Sequence, residues 1–332
     1  MIKSSTIETK VWLITGTSKG LGRALAETVL EQGDTVVLTA RNPELIQDLA
    51  ASFPENTLAV QLDVTKPEEI QAAVKQAIAK FGRIDVLVNN AGYGILGAIE
   101  EVSNAEVRRQ FETNFFGVLE VLRTVLPYMR QQGSGHIVNI SSVGGFVGYA
   151  GTGIYNGTKF ALEGISEALA QEVTPLGIKI TIVEPGAFRT EFVTRSLVIA
   201  DSEIKDYEIA IGEMRQGARD ILDNQLEFQE PGNPKKAALA IIKAVNSENP
   251  PLRLALGEDA IYAINAKLES VKTELDTWKE VRGMGEKDCY LVPLVFLVLF
   301  PCPMPNAQCP MPHLHNLKIK AQTCPIIHIQ DI

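Results

Sequence analysis

Between residues 10 and 256 the chain alternates short β-branched runs with longer stretches whose apolar positions recur every three or four residues. That alternation predicts a parallel sheet covered by helices on both faces. Seven runs qualify as strands: VWLIT at 11–15, TVVLT at 35–39, LAVQLDV at 58–64, IDVLVNN at 84–90, HIVNISS at 136–142, IKITIVE at 178–184 and RLAL at 253–256. Most are nearly continuous apolar stretches, as strands buried on both faces require. Residues 67–81 read as a helix that opens on Pro67 and stops at Gly82, and residues 104–132 as the longest helix. Past the last strand, Ile264, Leu268, Val271, Leu275, Trp278 and Val281 recur at helical spacing, marking an amphipathic helix ended by Gly283 and Gly285. Residues 187–231 show no strand and are expected to form a loop or lid over the crevice at the carboxyl ends of the strands. The fold class is therefore α/β, a doubly wound seven-stranded parallel sheet in one domain over residues 8–282, with an atypical tail at 283–332 and no internal repeat.

Composition narrows the function. The chain has 332 residues, 45% hydrophobic and 21% charged, so intrinsic disorder is excluded as a description of the whole. A net charge of −9 lacks the positive field that phosphate backbones select, so nucleic acid is not an expected partner. The first ten residues, MIKSSTIETK, do not read as a signal peptide, and all four cysteines (Cys289, Cys302, Cys309, Cys324) lie in the tail. The expectation is a cytoplasmic protein whose main domain needs no disulfide.

Chemistry begins directly after the first strand, at Thr15-Gly16-Thr17-Ser18-Lys19-Gly20-Leu21-Gly22. Glycines there permit a tight turn and close backbone approach, and the following helix offers its N–H groups to an anion. In its strand, turn and helix context the motif predicts a dinucleotide site of Rossmann type. The second strand ends Thr39-Ala40-Arg41, with no carboxylate to accept from a ribose 2′-hydroxyl. Arg41, with Lys19 as a second cation, suits a 2′-phosphate, which favours NADP(H) over NAD(H). Two solvated surface cations are the plainer alternative.

Tyr155-Asn156-Gly157-Thr158-Lys159 places a phenol and an ammonium on one helical face. A tyrosine is a poor acid or base near neutral pH unless a nearby cation stabilises its phenolate. Alone, the spacing also fits a surface pair. Its company includes the glycine turn, Asn89-Asn90-Ala91-Gly92 after the fourth strand, Asn114, Ser142 and Pro185-Gly186 after the sixth. With these the chain resembles the short-chain dehydrogenase/reductase family over residues 8–282. The runs from Phe111 to Gly117 and from Ser142 to Gly145 look most like the hydroxysteroid and retinol dehydrogenase branch.

The resemblance implies a hydrophobic ketone, aldehyde or alcohol as substrate and assembly as a homodimer or homotetramer through the helices near 104–132 and 155–173. Tyr155 would be general acid in reduction and general base in oxidation. Lys159 would lower its pKa and bind the nicotinamide ribose, and Ser142 would hydrogen-bond the substrate oxygen, with Ser141 as the neighbouring alternative. Asn114 would hold a water linking Lys159 to solvent, a role compatible with its other reading as a helix-kinking core amide. Asp63 and Val64 would flank the adenine, although Asp63 suits a turn equally well. Asn90, Ala91 and Gly92 would line the ribose side, and Pro185, Gly186, Phe188 and Thr190 the nicotinamide end. The pocket is expected from residues 94–97, 143–149 and the lid, including Phe188, Phe192, Leu197 and Tyr207.

The tail fits none of this. Residues 290–305 are almost wholly apolar yet carry Pro293, Pro301, Pro303 and Pro305, too short and broken for a spanning helix, and membrane association is not expected. Its cysteines and histidines lack the paired spacing of structural zinc sites, so no metal is expected. The tail reads as a non-homologous extension, of frame-shift or read-through type, that packs poorly or stays disordered. Two rivals remain: a non-catalytic NADP-binding regulator, which has no use for a proton donor, and an enzyme whose tail is a membrane or metal module.

Overall fold

The computed structural model describes residues 9–186, 196–224 and 232–279. The chain divides into two compact units, 1–274 and 275–332, and the architecture below is that of the first. In chain order its elements are β1 (Val11–Ile14), α1 (Gly20–Glu31), β2 (Thr35–Ala40), α2 (Gln47–Ser52), β3 (Thr57–Gln61), α3 (Pro67–Phe81), β4 (Val86–Asn89) and β5 (Gly94–Leu96). There follow α4 (Asn104–Phe111), α5 (Gly117–Gln132), β6 (Gly135–Ile140), α6 (Gly153–Val173), β7 (Ile178–Pro185) and β8 (Leu197–Ile199). The last are α7 (Glu208–Asn224), α8 (Pro234–Val245), β9 (Arg253–Leu256) and α9 (Glu258–Thr277), which runs past the unit boundary.

Seven strands form one sheet in the order β3-β2-β1-β4-β6-β7-β9, every pair parallel. The period-two alternation of β1 shows why helices cover both faces. Val11 and Leu13 enter one core with Val74 of α3, Val121 of α5 and Leu162 of α6, while Trp12 and Ile14 enter the other with Leu25 of α1 and Ile241 of α8. From β1 the chain winds outward to β2 and β3, then returns to lay β4 on the other side, so the direction of winding changes between β1 and β4. Crevices for ligands form at that switch point.

The expected strands are all present, with ends shifted by up to three residues. The third stops at Gln61 because Asp63 turns the chain: its carboxylate accepts from the Thr65 N–H at 3.0 Å and the Thr65 hydroxyl at 2.8 Å. The long helix near 104–132 is α4 and α5 joined through a π-helical turn, Glu112–Phe116, with Asn114 buried in it. α4 starts with a capping box between Ser103 and Glu106. α9 ends at Thr277, short of Gly283.

Residues 187–231 need a correction. Their described part holds a strand, β8, paired in parallel with β5, and the 17-residue helix α7. Ion pairing anchors this segment. Arg215 of α7, 2% exposed, donates from Nη2 to both oxygens of Glu101 at 2.6 and 2.7 Å. Glu101 also accepts from the Ala98 and Ile204 N–H groups, and Glu106 accepts from the Asp201 N–H at 3.2 Å. A buried guanidinium matched by a bidentate carboxylate satisfies both charges, whereas removal of either leaves the other uncompensated.

His136, buried at the start of β6 with Nε2 2.9 Å from the Thr181 hydroxyl, is held down at about pKa 4 by burial and by the Lys179 charge. A base whose folded pKa lies below its unfolded value of about 6.5 destabilises the fold as pH falls through the interval between them. The difference in unfolding free energy between the natural chain and His136→Gln should therefore grow by on the order of 3 kcal/mol from pH 4 to pH 7. Urea titrations across that range measure it, and a constant difference would contradict the buried neutral imidazole.

Candidate functional site

The glycine turn is built from threonine hydroxyls. Thr17 and Thr39 bind reciprocally, the Thr17 N–H donating to the Thr39 carbonyl at 2.8 Å and the Thr39 N–H to the Thr17 hydroxyl at 3.0 Å, while the Gly16 N–H donates to the Thr39 hydroxyl at 3.1 Å. This staple joins the turn after β1 to the end of β2. Lys19 and Arg41 each follow it by two residues, so both leave from one anchored point. Asn90 ties in β4: its side-chain amide donates to the Thr15 and Gly16 carbonyls at 2.8 and 3.0 Å, and the Asn90 and Ala91 N–H groups donate to the Thr15 hydroxyl.

Gly22 cannot be replaced without disturbing that knot. A Cβ there would lie 2.3 Å from both Asn90 Nδ2 and the Gly16 carbonyl oxygen. No side chain caps α1, so the N–H groups opening at Gly20, Leu21 and Gly22 face the turn uncapped, beside partly exposed Ser18 and Lys19. The donors, the close backbone approach and the cations fit a pyrophosphate. Val64 is buried and Asp63 half-buried beyond the end of β3, and the contacts of Asp63 are those of the turn reading.

Ser142, Tyr155 and Lys159 gather where β6 ends and α6 begins. Ser142 follows β6 in an extended conformation, and its hydroxyl oxygen accepts from the Gly144 N–H at 3.0 Å while the group hydrogen-bonds Tyr155. Lys159, one turn along α6 and 5% exposed, donates to the Ile140 carbonyl at 2.7 Å, with Nζ 5.8 Å from the centre of the Tyr155 ring. Burial pushes the Tyr155 phenol up to about pKa 12, against the lowering effect of Ser142, and burial pulls Lys159 down to about 8, against the raising effect of Glu163. A Cβ on Gly92 would lie 3.7 Å from Lys159 Nζ and 3.1 Å from Asn114 Oδ1, so the Asn90-Ala91-Gly92 segment meets this group.

Asn114 spends its side chain on the fold. Its oxygen accepts from the Tyr93 N–H at 3.1 Å, and its amide donates to the Tyr93 carbonyl at 2.8 Å and to the Thr158 hydroxyl at 3.1 Å. The kinking reading is thus satisfied by contacts, and the π-turn interrupts the helical ladder beside Lys159. Ser141 points elsewhere than Ser142: it is buried, near Gly145 and Glu163. Pro185 ends β7, and a Cβ on Gly186 would meet the Asp259 carboxylate at 2.2 Å. Phe188, Thr190 and Phe192 lie outside the described residues.

A cavity of about 130 Å³ opens onto Ser142 and Tyr155, walled by Gly94, Val143, Gly144, Tyr149 and Leu197. These match the expected pocket apart from Tyr207, whose hydroxyl instead donates to Glu100 at 2.7 Å away from the cavity. Two residues escaped sequence reasoning. Asn156 clamps the segment after Ser142 onto α6, donating to the Gly144 carbonyl and accepting from the Tyr149 N–H, both at 3.0 Å. Its place inside the YxxxK spacing was the only available signal. Glu163, one turn past Lys159, is buried and bound to Arg253 of β9, which also holds Glu184 at 3.0 Å and Glu167. Burial pushes Glu163 up to about pKa 7, opposed by the Ser141 hydrogen bond and the Arg253 charge and reinforced by the neighbouring Glu184 and Glu167 carboxylates. Among the described residues no group of histidine, cysteine and acidic side chains is placed to hold a metal ion, and no helix is long and apolar enough to cross a membrane.

Residues 10–197 match the family profile described as short chain dehydrogenase. The chain is 39% identical over 274 residues to Oxidoreductase BOA17 of Botryotinia fuckeliana, covering 82% of this chain and 98% of that one. It is 40% identical over 263 residues to 3-ketodihydrosphingosine reductase of Bacteroides thetaiotaomicron, covering 76% and 89%. A crystal structure of a short-chain dehydrogenase from Streptomyces avermitilis is 46% identical with a TM-score of 0.76, covering 83% of this chain and 98% of that one. Two further solved relatives carry nicotinamide cofactors. ElxO with NADP bound is 30% identical (TM-score 0.62; 76% and 99% covered), and 3-ketoacyl-(acyl-carrier-protein) reductase from Brucella melitensis with NADH is 27% identical (TM-score 0.62; 74% and 96% covered). With the glycine turn, the Ser142, Tyr155 and Lys159 cluster and these matches together, the chain belongs to the short-chain dehydrogenase family of oxidoreductases.

Proposed function

We propose that the protein is an NADP(H)-dependent carbonyl reductase or alcohol dehydrogenase acting on a hydrophobic ketone, aldehyde or alcohol of steroid, retinoid or lipid type. The observation that carries this reading is the contact of Tyr155 with Ser142 at the floor of a cavity, above the buried Lys159 ammonium. A substrate oxygen in the cavity accepts hydrogen bonds from both hydroxyls. Ser142 fixes it and stabilises the charge that develops, and Tyr155 gives up its proton in reduction and takes it back in oxidation. The nicotinamide, when bound, supplies or accepts the hydride. Lys159 keeps positive charge beneath the phenol, and Asn114, in the interrupted helix, would hold a water that links that ammonium to solvent.

Arg41 and Lys19, leaving from the Thr17 and Thr39 staple, support a preference for a 2′-phosphate. The Gly20 to Gly22 opening of α1 would hold the pyrophosphate, Asp63 and Val64 would border the adenine, and Asn90, Ala91, Gly92, Pro185 and Gly186 the ribose and nicotinamide, with Phe188 and Thr190 beyond. The apolar wall made by Val143, Tyr149 and Leu197 suits a lipophilic substrate, and the relative named as a 3-ketodihydrosphingosine reductase is consistent with one. A cytoplasmic homodimer or homotetramer, with residues 8–282 as its catalytic domain, completes the proposal.

Oxidation of NADPH by the full chain over a panel of lipophilic ketones tests the reading, with turnover expected on at least one. Tyr155→Phe should lower kcat roughly 10²- to 10⁴-fold while leaving cofactor binding intact. NADPH binding with no turnover on any ketone would favour a sensor instead.

Cofactor choice is tested at Arg41. Arg41→Ala should reduce the NADPH over NADH preference by about tenfold to a hundredfold, the scale of lost charge-assisted bonds. Gly22→Ala should abolish binding of both, seen as loss of the fluorescence change on titration.

The two directions should also differ in pH dependence. A phenol held near pKa 12 stays protonated at neutral pH, so kcat/KM for reduction is expected to be flat from pH 5 to 7, below the point at which Lys159 loses its charge. For oxidation it should rise about tenfold per pH unit, because the phenolate is the scarce form. Parallel initial-rate profiles would show a wrong assignment as equal slopes.

A further inference from the structure

α9 is a 20-residue helix in which Ala260 is the buried residue, while Ile261 and Leu268 are about half exposed and Val271 more than a third. A helix without a packed face is marginal in water, since most helical stability in proteins comes from burying one. The apolar positions of α9 are not scattered. Ile261, Ile264, Leu268 and Val271 follow spacings of three, four and three, and the sequence continues the alternation at Leu275 and Trp278. This 3.5-residue period makes the narrow seam of a helix pair rather than the broad stripe of a helix lying on a sheet.

The charges beside the seam identify its partner. Lys267 and Glu274 precede seam positions on the same side, one heptad apart. When two copies of α9 run antiparallel with Leu268 layered on Val271, Lys267 of each copy meets Glu274 of the other, twice by symmetry. A parallel pair would set Lys267 against Lys272 instead. A two-fold axis perpendicular to the helices generates this arrangement, with the same residues contributed by both copies. The tail is a poor alternative occupant, because residues 290–305 carry four prolines and no such alternation.

We propose that α9 is a self-association element through which two copies of the chain pair, helix against antiparallel helix. The interface is separate from the catalytic cluster and from the helices near 104–132 and 155–173, so it stands whether or not the reductase reading does. Sedimentation of the full chain tests it. Leu268→Glu combined with Val271→Glu should halve the mass of the assembly at tens of micromolar while circular dichroism and NADPH binding are unchanged. Lys267→Glu and Glu274→Lys should each weaken association about tenfold, since two attractive pairs become repulsive. An equimolar mixture of these two charge variants should restore it, because every pair across the mixed interface is again opposite in sign. A monomeric natural chain, an unchanged mass in the double glutamate variant, or a mixture that fails to reassociate would each overturn the proposal.

Discussion

An ammonium buried at the end of β6 is the constraint on which the site depends. Lys159 is almost wholly removed from water, and its described hydrogen-bond partner is the Ile140 carbonyl, the last of the strand. That carbonyl points to Lys159 because β6 stops there, with Ser142 extended beyond it and Asn156 holding the following segment to α6. A charge in low dielectric strengthens every electrostatic effect around it and costs stability unless it is compensated. The compensation reaches outward through Glu163, then Arg253, to the edge strand β9. This edge strand is thereby electrically coupled to the Ser142, Tyr155 and Lys159 cluster.

The same economy of contacts explains the cofactor side. Two threonine hydroxyls and one asparagine amide join the ends of β1, β2 and β4, so the glycine turn is set by the sheet and not by its own flexibility. Asn90 is consequently a structural knot, and the close approach of Gly22 to it shows why the turn tolerates no side chain there.

Much of this was legible in the sequence because it is local. Each main strand is a short apolar run, the glycine turn sits on consecutive residues, and Tyr155 and Lys159 share one helical face. The misses have a different physical origin. β8 is three residues long and exists through its pairing with β5, about a hundred positions earlier, a non-local interaction that no run of residues announces. Arg215 and Glu101, or Arg253 and Glu163, are ordinary charged residues until folding removes them from water together. Tyr207 failed in the opposite sense: an aromatic in a pocket-forming segment turned its hydroxyl to a surface carboxylate. The face of α9 was legible as amphipathic, but its exposure appeared only in three dimensions.

The anchoring of residues 197–224 bears on how this part of the fold can change. β8 pairs with β5, and Arg215 is closed by Glu101, so the segment over the cavity and the segment at 94–106 form one cooperative piece although the sequence separates them. A graft that moved only the later segment from a relative would leave a buried carboxylate at Glu101 facing a foreign side chain. The natural unit of exchange is both segments together, and substitutions that reshape the cavity should accumulate in pairs across that gap.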